Sequence, residues 1–306
     1  MTKAPTNIGA SVRAKLLRLS KERKEDHQLL LVRYANERLL HRLASSPHAG
    51  SFVLKGAALF TIWTGRAHRA TRDIDFLGFG EPAVERLRAV FEDVLRLDVD
   101  DDGVRFDLAS LEVGPIREDQ EYGGVRIALR AEISGAQVRL QVDVGFGDAI
   151  TPAPEVVEFP ALLDFAAPKL RAYPRPTVVA EKLEAMVKLG IANSRMKDFY
   201  DVVILSRTFP FDGDALVRAI RATFERRGTP LPDGLPVALT DAFPADATKR
   251  AQWAGFVRKA GARTELRDFG EVVREARAFL AEPLAAARTP GAWTARWAPL
   301  GPWAAA

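Results

Sequence analysis

Residues 69–76 read Arg-Ala-Thr-Arg-Asp-Ile-Asp-Phe, and this stretch places two carboxylates, Asp73 and Asp75, two residues apart between apolar neighbours. Side chains of a β-strand alternate between its faces, so a strand here would present both carboxylates on one face and turn Ile74 and Phe76 into a core. Two like charges this close repel each other, and Mg²⁺ suits such oxygen ligands because it takes one or two carboxylates plus substrate phosphates. The stretch therefore predicts that Asp73 and Asp75 bind a metal. A solvated loop is the alternative interpretation of an isolated Asp-x-Asp.

A candidate phosphate site lies upstream, where residues 52–57 read Phe-Val-Leu-Lys-Gly-Ala. The apolar run predicts a short strand that turns into a helix. Backbone N–H groups at such a turn, and the positive end of a helix, attract phosphate. Lys55, Gly56 and Ala57 are therefore candidate nucleotide-binding residues, and the alternative is that Gly56 serves only a tight turn.

A third carboxylate comes from residues 138–144, which alternate between apolar and polar side chains. The pattern predicts a strand whose polar face carries Asp143. A third carboxylate beside an aspartate pair completes the ligand set of two-metal phosphoryl or nucleotidyl transfer. Asp148, beyond Gly147, is the competing candidate. The alternative for Asp143 is a solvent-facing strand residue.

The order of predicted elements indicates an α+β fold, with a mixed sheet flanked by helices and followed by a helical C-terminal domain. Helical spacing over residues 11–43 predicts an N-terminal helical segment, residues 1–50. Residues 51–165 are predicted to form the catalytic core, with a helix over residues 81–97 and two or three strands between 104 and 144. A proline-rich connection precedes a helical domain, residues 166–282. The remaining residues, 283–306, are low in complexity and are predicted to be either disordered or a docking segment, with weak order as the preferred interpretation.

Composition limits the function classes. The chain has 306 residues, 47% hydrophobic and 27% charged, which is typical of a globular protein with a sizeable core. Cysteine is absent, which excludes disulfides and cysteine-ligated metal sites and fits a cytoplasmic protein. The net charge of +4 is a mild indication of an anionic partner. No apolar run is long enough for a membrane span, so we expect no membrane partner.

A second polar motif lies in the predicted helical domain, where Glu181-Lys182 is followed by residues 194–201, Ser-Arg-Met-Lys-Asp-Phe-Tyr-Asp. Arg195, Asp198 and Asp201 share one face of a helix, at i, i+3 and i+6. Ser194 is suited to cap that helix. The alternative interpretation is a ladder of surface salt bridges, each of little energetic weight.

Together these features resemble the nucleotidyltransferase superfamily with the DNA polymerase β-like fold. The longer pattern, from the Lys-Gly-Ala turn through Arg69-x-Thr71-x-Asp73-Ile74-Asp75 to Lys182 and the Arg195-x-Lys197-Asp198 motif, resembles the AbiEii/AbiGii (MenT-like) toxin family. The resemblance covers roughly residues 11–259. The chain departs from the superfamily pattern in having Ala57 where a serine is usual and a longer loop between Gly56 and Asp73.

The resemblance implies a toxin of a toxin–antitoxin or phage-defence system that transfers NMP from an NTP to an RNA 3′ end, with the tRNA acceptor stem as the expected target. The implied partners are an NTP, RNA and a cognate antitoxin encoded nearby, and the implied cofactor is Mg²⁺, with two ions during catalysis. The implied metal ligands are Asp73, Asp75 and Asp143, and the last also serves as proton acceptor. The remaining implied catalytic residues are Lys182 and Asp198, and the implied nucleotide-binding residues are Lys55, Gly56, Ala57, Arg69, Thr71, Arg195 and Lys197.

Two other functions fit the same residues. One is a nucleotidyltransferase that modifies a protein hydroxyl or a small molecule, because the same metal site serves either acceptor. The other is an inactive module that binds a nucleotide or a partner. The three retained carboxylates Asp73, Asp75 and Asp143 favour an enzyme, since an inactive protein has no use for such a costly cluster.

Overall fold

The protein is described by a computed structural model, which covers residues 7–65, 73–116, 124–260, 266 and 268–305. The chain divides into two compact units. The first comprises Met1–Gly147 with Glu155–Ala172, and the second comprises Asp148–Pro154 with Tyr173–Ala306. The boundaries differ from those expected from the sequence, because the N-terminal helices belong to the same unit as the sheet and a piece of the proline-rich connection belongs to the second unit.

The first unit is built around a mixed sheet. Its elements are α1 (Ile8–Arg23), α2 (His27–Ser45), β1 (Phe52–Lys55), α3 (Ala58–Thr64), β2 (Ile74–Gly78), α4 (Val84–Arg96), β3 (Arg105–Pro115), β4 (Val125–Ile133), β5 (Ala136–Phe146), β6 (Glu155–Glu158) and β7 (Lys169–Ala172). The strand order is β3-β4-β5-β2-β1-β7-β6. The β2–β5 and β1–β7 pairs are parallel and the others are antiparallel. The predicted α+β class with a mixed sheet is confirmed.

The predicted alternation of the central strands is also confirmed. Ile74 and Phe76 of β2 are each 2% exposed, and the apolar residues of β5 are buried in the same core. Their polar neighbours on β5, including Asp143, are half-buried or exposed. Burial of the apolar face supplies most of the energy that holds these strands in place.

The predicted helix over residues 11–43 is interrupted and forms α1 and α2. Lys24 adopts the left-handed conformation, with φ of 54°, and its N–H bonds the Ser20 carbonyl. Asp26 then caps α2, because its side chain accepts a hydrogen bond from the Leu29 N–H at 2.7 Å. A lysine seldom adopts positive φ, and no glycine or proline stands at the break. The end of α1 therefore could not be predicted from the local sequence.

Two strands of the sheet, β6 and β7, were missed by sequence reasoning. They lie inside the proline-rich connection, and each has only 4 residues. Such short strands show too little alternation to be recognised among prolines. β7 pairs in parallel with β1, at Leu54 opposite Ala172, and so extends the sheet beside β1.

The second unit is mainly helical, as predicted. Its elements are α5 (Arg175–Leu189), α6 (Met196–Thr208), β8 (Phe211–Asp212), α7 (Gly213–Arg226), α8 (Ala242–Ala245), α9 (Ala247–Ala260), α10 (Phe269–Ala287), β9 (Arg296–Trp297) and β10 (Trp303–Ala304). Aromatic rings fill its core; Phe199 stacks on Phe243 with centroids 5.3 Å apart, and Trp253 stacks on Phe269 at 4.8 Å. Within the residues that the structure covers, no helix has the length and apolarity needed to cross a membrane.

The C-terminal tail is packed rather than weakly ordered, which corrects the expectation for residues 283–306. α10 continues through Pro283, and the strands β9 and β10 join β8 in a small sheet. The Trp297 indole donates to the Ser206 carbonyl at 2.7 Å, and the Trp303 indole donates to the Phe279 carbonyl at 2.8 Å. Composition rich in alanine and proline suggested disorder, but the buried tryptophans supply the apolar area that orders the segment.

Candidate active site

The turn from β1 into α3 is shaped by Gly56. Its φ is +72°, a conformation that residues with a side chain rarely adopt. A Cβ at this position would lie 2.1 Å from Oδ2 of Asp75, so only glycine leaves room for that carboxylate. Ala57 follows with helical dihedrals and precedes α3. Gly56 is therefore required both for the turn and for the position of Asp75.

The two aspartates of the Asp-x-Asp motif have different surroundings. Asp75 lies within β2 and is half-buried, whereas Asp73 immediately precedes the strand and is exposed. Residues 66–72, including the predicted nucleotide-binding residues Arg69 and Thr71, lie outside the described residues. The structure therefore describes the carboxylates of the motif but not the basic residues that precede them.

A row of charged side chains crosses the sheet at this point. Asp75 pairs with Lys55 of β1 on one side and with Asp143 of β5 on the other. Asp143 in turn pairs with Arg126 of β4. Laterally paired residues project from the same face of a sheet, so Lys55, Asp75, Asp143 and Arg126 form a row with charges plus, minus, minus, plus. We call this set the charged row.

The Lys55 side chain reaches across the row. A Cβ added at Gly145 would lie 3.7 Å from the Lys55 Nζ, and Gly145 follows Asp143 by two residues on the same face of β5. The ammonium group therefore extends from β1 over β2 towards β5.

Arg126 is a charged residue of this face that sequence reasoning missed. Its Nε and Nη2 donate to the two oxygens of Asp143, each at 2.8 Å. The sequence contains a signal, because Ser134-Gly135 is a dipeptide typical of turns. In the structure both residues have positive φ and form the two-residue turn between β4 and β5. Counting outward from such a hairpin turn gives the register and places Arg126 opposite Asp143.

The side chains of this face include hard oxygen donors of the kind that Mg²⁺ binds. Within the described part of the chain, no group of three or more His, Cys, Asp or Glu side chains is arranged to hold a metal ion. Mg²⁺ does not require such a cage, because it keeps several waters and binds through one or two carboxylates plus substrate phosphates. Asp75 and Asp143 are paired on strands spaced about 4.8 Å apart and supply hard oxygen donors. The donor set therefore fits Mg²⁺ brought in with a nucleotide.

In the second unit, the motif around α6 forms a buried charge network. Lys182 of α5 donates to Asp198 at 2.7 Å and to Asp201 at 2.8 Å. Arg195 donates to the other oxygen of Asp198 at 2.6 Å. The side chains of Asp198 and Asp201 are each 1% exposed, so the alternative of a surface salt-bridge ladder is excluded for these residues.

The charges of this network sustain one another. Burial disfavours the ammonium of Lys182, but Asp198 and Asp201 outweigh it and hold the pKa of Lys182 above its ordinary value. Burial likewise disfavours the carboxylate of Asp198, but Lys182 and Arg195 outweigh it and hold the pKa of Asp198 below its ordinary value. Both groups are therefore charged at neutral pH.

The start of α6 differs from expectation at one residue. Ser194 does not cap α6; the N-cap position is Arg195, which has no side-chain cap, and the Asn193 side chain accepts from the Arg195 N–H at 2.8 Å. Lys197 is exposed at the start of α6. Its predicted role in nucleotide binding stays a prediction.

Asp148, the competing third carboxylate, belongs to the second unit and has a structural environment there. Arg227 donates to Asp148 at 2.9 Å and to Glu184 at 2.8 Å, and it lies 3.2 Å from Glu181. Burial disfavours the guanidinium charge, but Glu181 and Asp148 outweigh it and hold the pKa of Arg227 above its ordinary value. This pairing gives Asp148 a structural role within the second unit.

Comparison with known structures agrees with this fold. JHP933 from Helicobacter pylori aligns with a TM-score of 0.50 and 15% identity, over 82% of this chain and 89% of that chain. A second H. pylori protein, described as a candidate nucleotidyltransferase, aligns with a TM-score of 0.49 and 16% identity, over 82% of this chain and 92% of that chain. No curated protein matches the sequence significantly.

The sequence model of the family described as "Nucleotidyl transferase AbiEii toxin, Type IV TA system" matches residues 38–275. The match includes β1, β2, β5 and α6, and with them the charged row and the Lys182 network. It covers more than half of the chain. The protein therefore belongs to the AbiEii family, the nucleotidyltransferase toxins of type IV toxin–antitoxin systems.

Proposed function

We propose that this toxin is a Mg²⁺-dependent enzyme that transfers NMP from an NTP to the 3′ end of an RNA, with the tRNA acceptor stem as its target. The observation that carries the proposal is the pairing of Asp75 with Asp143 on adjacent strands, with Lys55 beside Asp75. Two carboxylates at this spacing, next to a cation, suit a site for a magnesium-bound triphosphate. Loss of a functional tRNA 3′ end would block translation in the cytoplasm, which explains toxicity.

The nucleotide is bound by the turn between β1 and α3. Lys55 offsets the negative charge of the triphosphate, and Gly56 and Ala57 allow the backbone to approach the phosphates closely. Arg69 and Thr71 are assigned to the same nucleotide. Asp73, Asp75 and Asp143 would hold Mg²⁺, which when bound stabilises negative charge on the phosphates and lowers the pKa of the acceptor hydroxyl.

The transfer step forms one P–O bond and breaks another. The 3′-hydroxyl oxygen of the RNA forms a bond to the α-phosphorus of the NTP. The bond between that phosphorus and the oxygen bridging to the β-phosphate breaks, and pyrophosphate leaves with the electron pair. The hydroxyl proton passes to a carboxylate oxygen of Asp143. Cations near the transferring group are needed because it carries negative charge throughout.

The residues assigned to the reaction also include cations of the motif around α6. Lys182, Arg195 and Lys197 are assigned to stabilise the phosphates. Asp198 orients Lys182, to which it is hydrogen bonded at 2.7 Å. Asp198 and Asp201 also keep Lys182 protonated at neutral pH, so its charge is available whenever a nucleotide binds.

A labelling experiment tests the proposal. The protein is incubated with each α-labelled NTP in turn, Mg²⁺ and total RNA, and the products are separated on a gel. Label on RNA of tRNA size, lost with EDTA and with Asp75→Asn, is the expected result. Label on protein would indicate that a protein hydroxyl is the acceptor, and no label with any NTP would indicate an inactive binding module.

A further inference from the structure

The far end of the charged row is occupied by Arg126, which the nucleotide site does not use. Arg126 lies on β4 and binds Asp143 through both Nε and Nη2, each at 2.8 Å. Its side chain is 44% exposed and that of Asp143 is 20% exposed, so the pair is open to solvent on the polar face of the sheet. The guanidinium is therefore held in place and remains accessible to an anion.

The two ends of the charged row have different neighbours. Lys55 stands at one end, beside the turn assigned to the triphosphate, and Arg126 stands at the other end, beside Asp143. In the proposed reaction Asp143 accepts the proton of the acceptor hydroxyl, so the reacting end of the acceptor lies at Asp143. Arg126 is thus on the acceptor side of the row, with the carboxylates between it and Lys55.

We propose that Arg126 binds a backbone phosphate of the acceptor RNA, close to its reacting 3′ end. The planar guanidinium fork that now matches the two carboxylate oxygens of Asp143 matches two phosphate oxygens equally well. Exchange of one anion for the other leaves Arg126 paired and releases the oxygens of Asp143 for cation and proton. Arg126 is thus a positioning residue for a polynucleotide acceptor, and this inference rests on the proposed function.

Arg130 supplies a matched control. It lies on the same strand and the same face as Arg126, about 13 Å farther along β4. Its side chain is 62% exposed and forms an ion pair with Asp107 at 3.1 Å. A generic attraction of RNA to basic side chains would use Arg130 as much as Arg126, whereas an ordered contact at the reacting end uses Arg126 alone.

The first experiment measures binding without catalysis. A fluorescent single-stranded RNA oligonucleotide with a free 3′-hydroxyl is titrated with wild type, Arg126→Gln, Arg126→Lys and Arg130→Gln over a range of salt concentrations. The slope of log affinity against log salt is negative, and loss of one phosphate contact should reduce its magnitude by about 0.7. The same loss should weaken binding roughly tenfold. We expect this for Arg126→Gln only, with Arg126→Lys restoring the slope but not the full affinity. Circular dichroism and thermal unfolding establish that each variant is folded.

The second experiment measures transfer from an α-labelled NTP to total tRNA. Arg126→Gln should raise KM for tRNA more than KM for the NTP, and Arg130→Gln should change neither. A larger effect on KM for the NTP would place Arg126 on the triphosphate and overturn the inference. Equal losses for the Arg126 and Arg130 variants would overturn it as well.

The two experiments separate this inference from the proposed function. If wild type transfers no nucleotide but Arg126→Gln alone lowers the salt slope, the RNA contact stands and the reaction assignment fails. If transfer to tRNA occurs and Arg126→Gln leaves both the slope and KM for tRNA unchanged, the reaction stands and the contact is refuted.

Discussion

Asp75 of β2 and Asp143 of β5 are register partners on adjacent parallel strands, although a helix and two strands separate them in the chain. Like charges directly opposite each other destabilise a sheet. Here Lys55 lies opposite Asp75, on the side of β2 that faces away from β5, and Arg126 binds Asp143 at 2.8 Å. The two cations offset the repulsion of the carboxylates and keep them side by side.

Asp75→Asn should abolish nucleotidyl transfer without unfolding the protein. The substitution removes a carboxylate that we propose as a metal ligand, and we expect it to lower kcat by roughly a thousandfold or more. It also removes like-charge repulsion, so the free energy of unfolding should hold or rise slightly. Transfer assays and urea unfolding test this, with the exposed Asp98→Asn as control. Full activity of Asp75→Asn would remove the basis of the metal-site assignment.

Gly56→Ala should damage both stability and transfer, because the new Cβ would lie 2.1 Å from the Asp75 carboxylate. The matched control is Gly65→Ala: Gly65 has φ of +71°, almost the same as Gly56, and among the described residues no atom lies within 4 Å of an added Cβ. Both substitutions carry a backbone cost of about 1–2 kcal/mol. Only Gly56→Ala should cost more than this in urea unfolding and should lose transfer. The same loss in both variants would show that backbone conformation alone matters at Gly56.

Lys182→Met should destabilise the second unit strongly. It leaves Asp198 and Asp201 buried beside a neutral side chain, and breaking a buried pair in this way costs about 3–5 kcal/mol. Lys188→Met, at an exposed position of the same helix, should change the free energy of unfolding by less than about 0.5 kcal/mol. Urea unfolding measures both. A small cost for Lys182→Met would mean that the carboxylates are solvated when the lysine is lost.

The same network predicts an acid limit of stability. The pKa of Asp198 lies below its ordinary value of 3.8 in the folded protein, so its contribution is present above that pH and is lost as the pH falls through the lower, folded pKa. The pKa of Lys182 is raised, so its contribution is lost only at alkaline pH, above 10.5. In urea unfolding, Asp198→Asn should lose less stability than wild type as the pH is lowered below about 4. Asp233→Asn, at an exposed position, should follow wild type.

Trp303→Ala should destabilise the second unit by roughly 3 kcal/mol or more, because it removes a buried aromatic side chain. The Trp303 ring stacks on Phe279 with centroids 5.7 Å apart, and its indole donates to the Phe279 carbonyl. Leu300→Ala is the control, because Leu300 lies in the same tail and is 73% exposed. Thermal unfolding tests the pair. Equal, small effects would mean that the tail contributes little to folding.

Local patterns in the sequence were enough to predict several features that the structure bears out. A period of two identified β2 and β5 and the buried faces of both, and the combined motifs identified the family. These features depend on neighbours along the chain. Where the local signal was weak, prediction failed: Lys24 ends α1 without a glycine, and β6 and β7 are too short to show alternation.

The sequence by itself therefore determined β1, β2 and β5, the buried faces of β2 and β5, and that Asp73, Asp75 and Asp143 are candidates for one site. Only the tertiary structure decided that β2 lies between β1 and β5, so that Asp75 pairs with both Lys55 and Asp143, and that Lys182 is enclosed by Asp198 and Asp201. The physical reason is that strand order and charge pairing arise from contacts between distant parts of the chain. Their energy depends on the packing of the whole unit, which no local period in the sequence encodes.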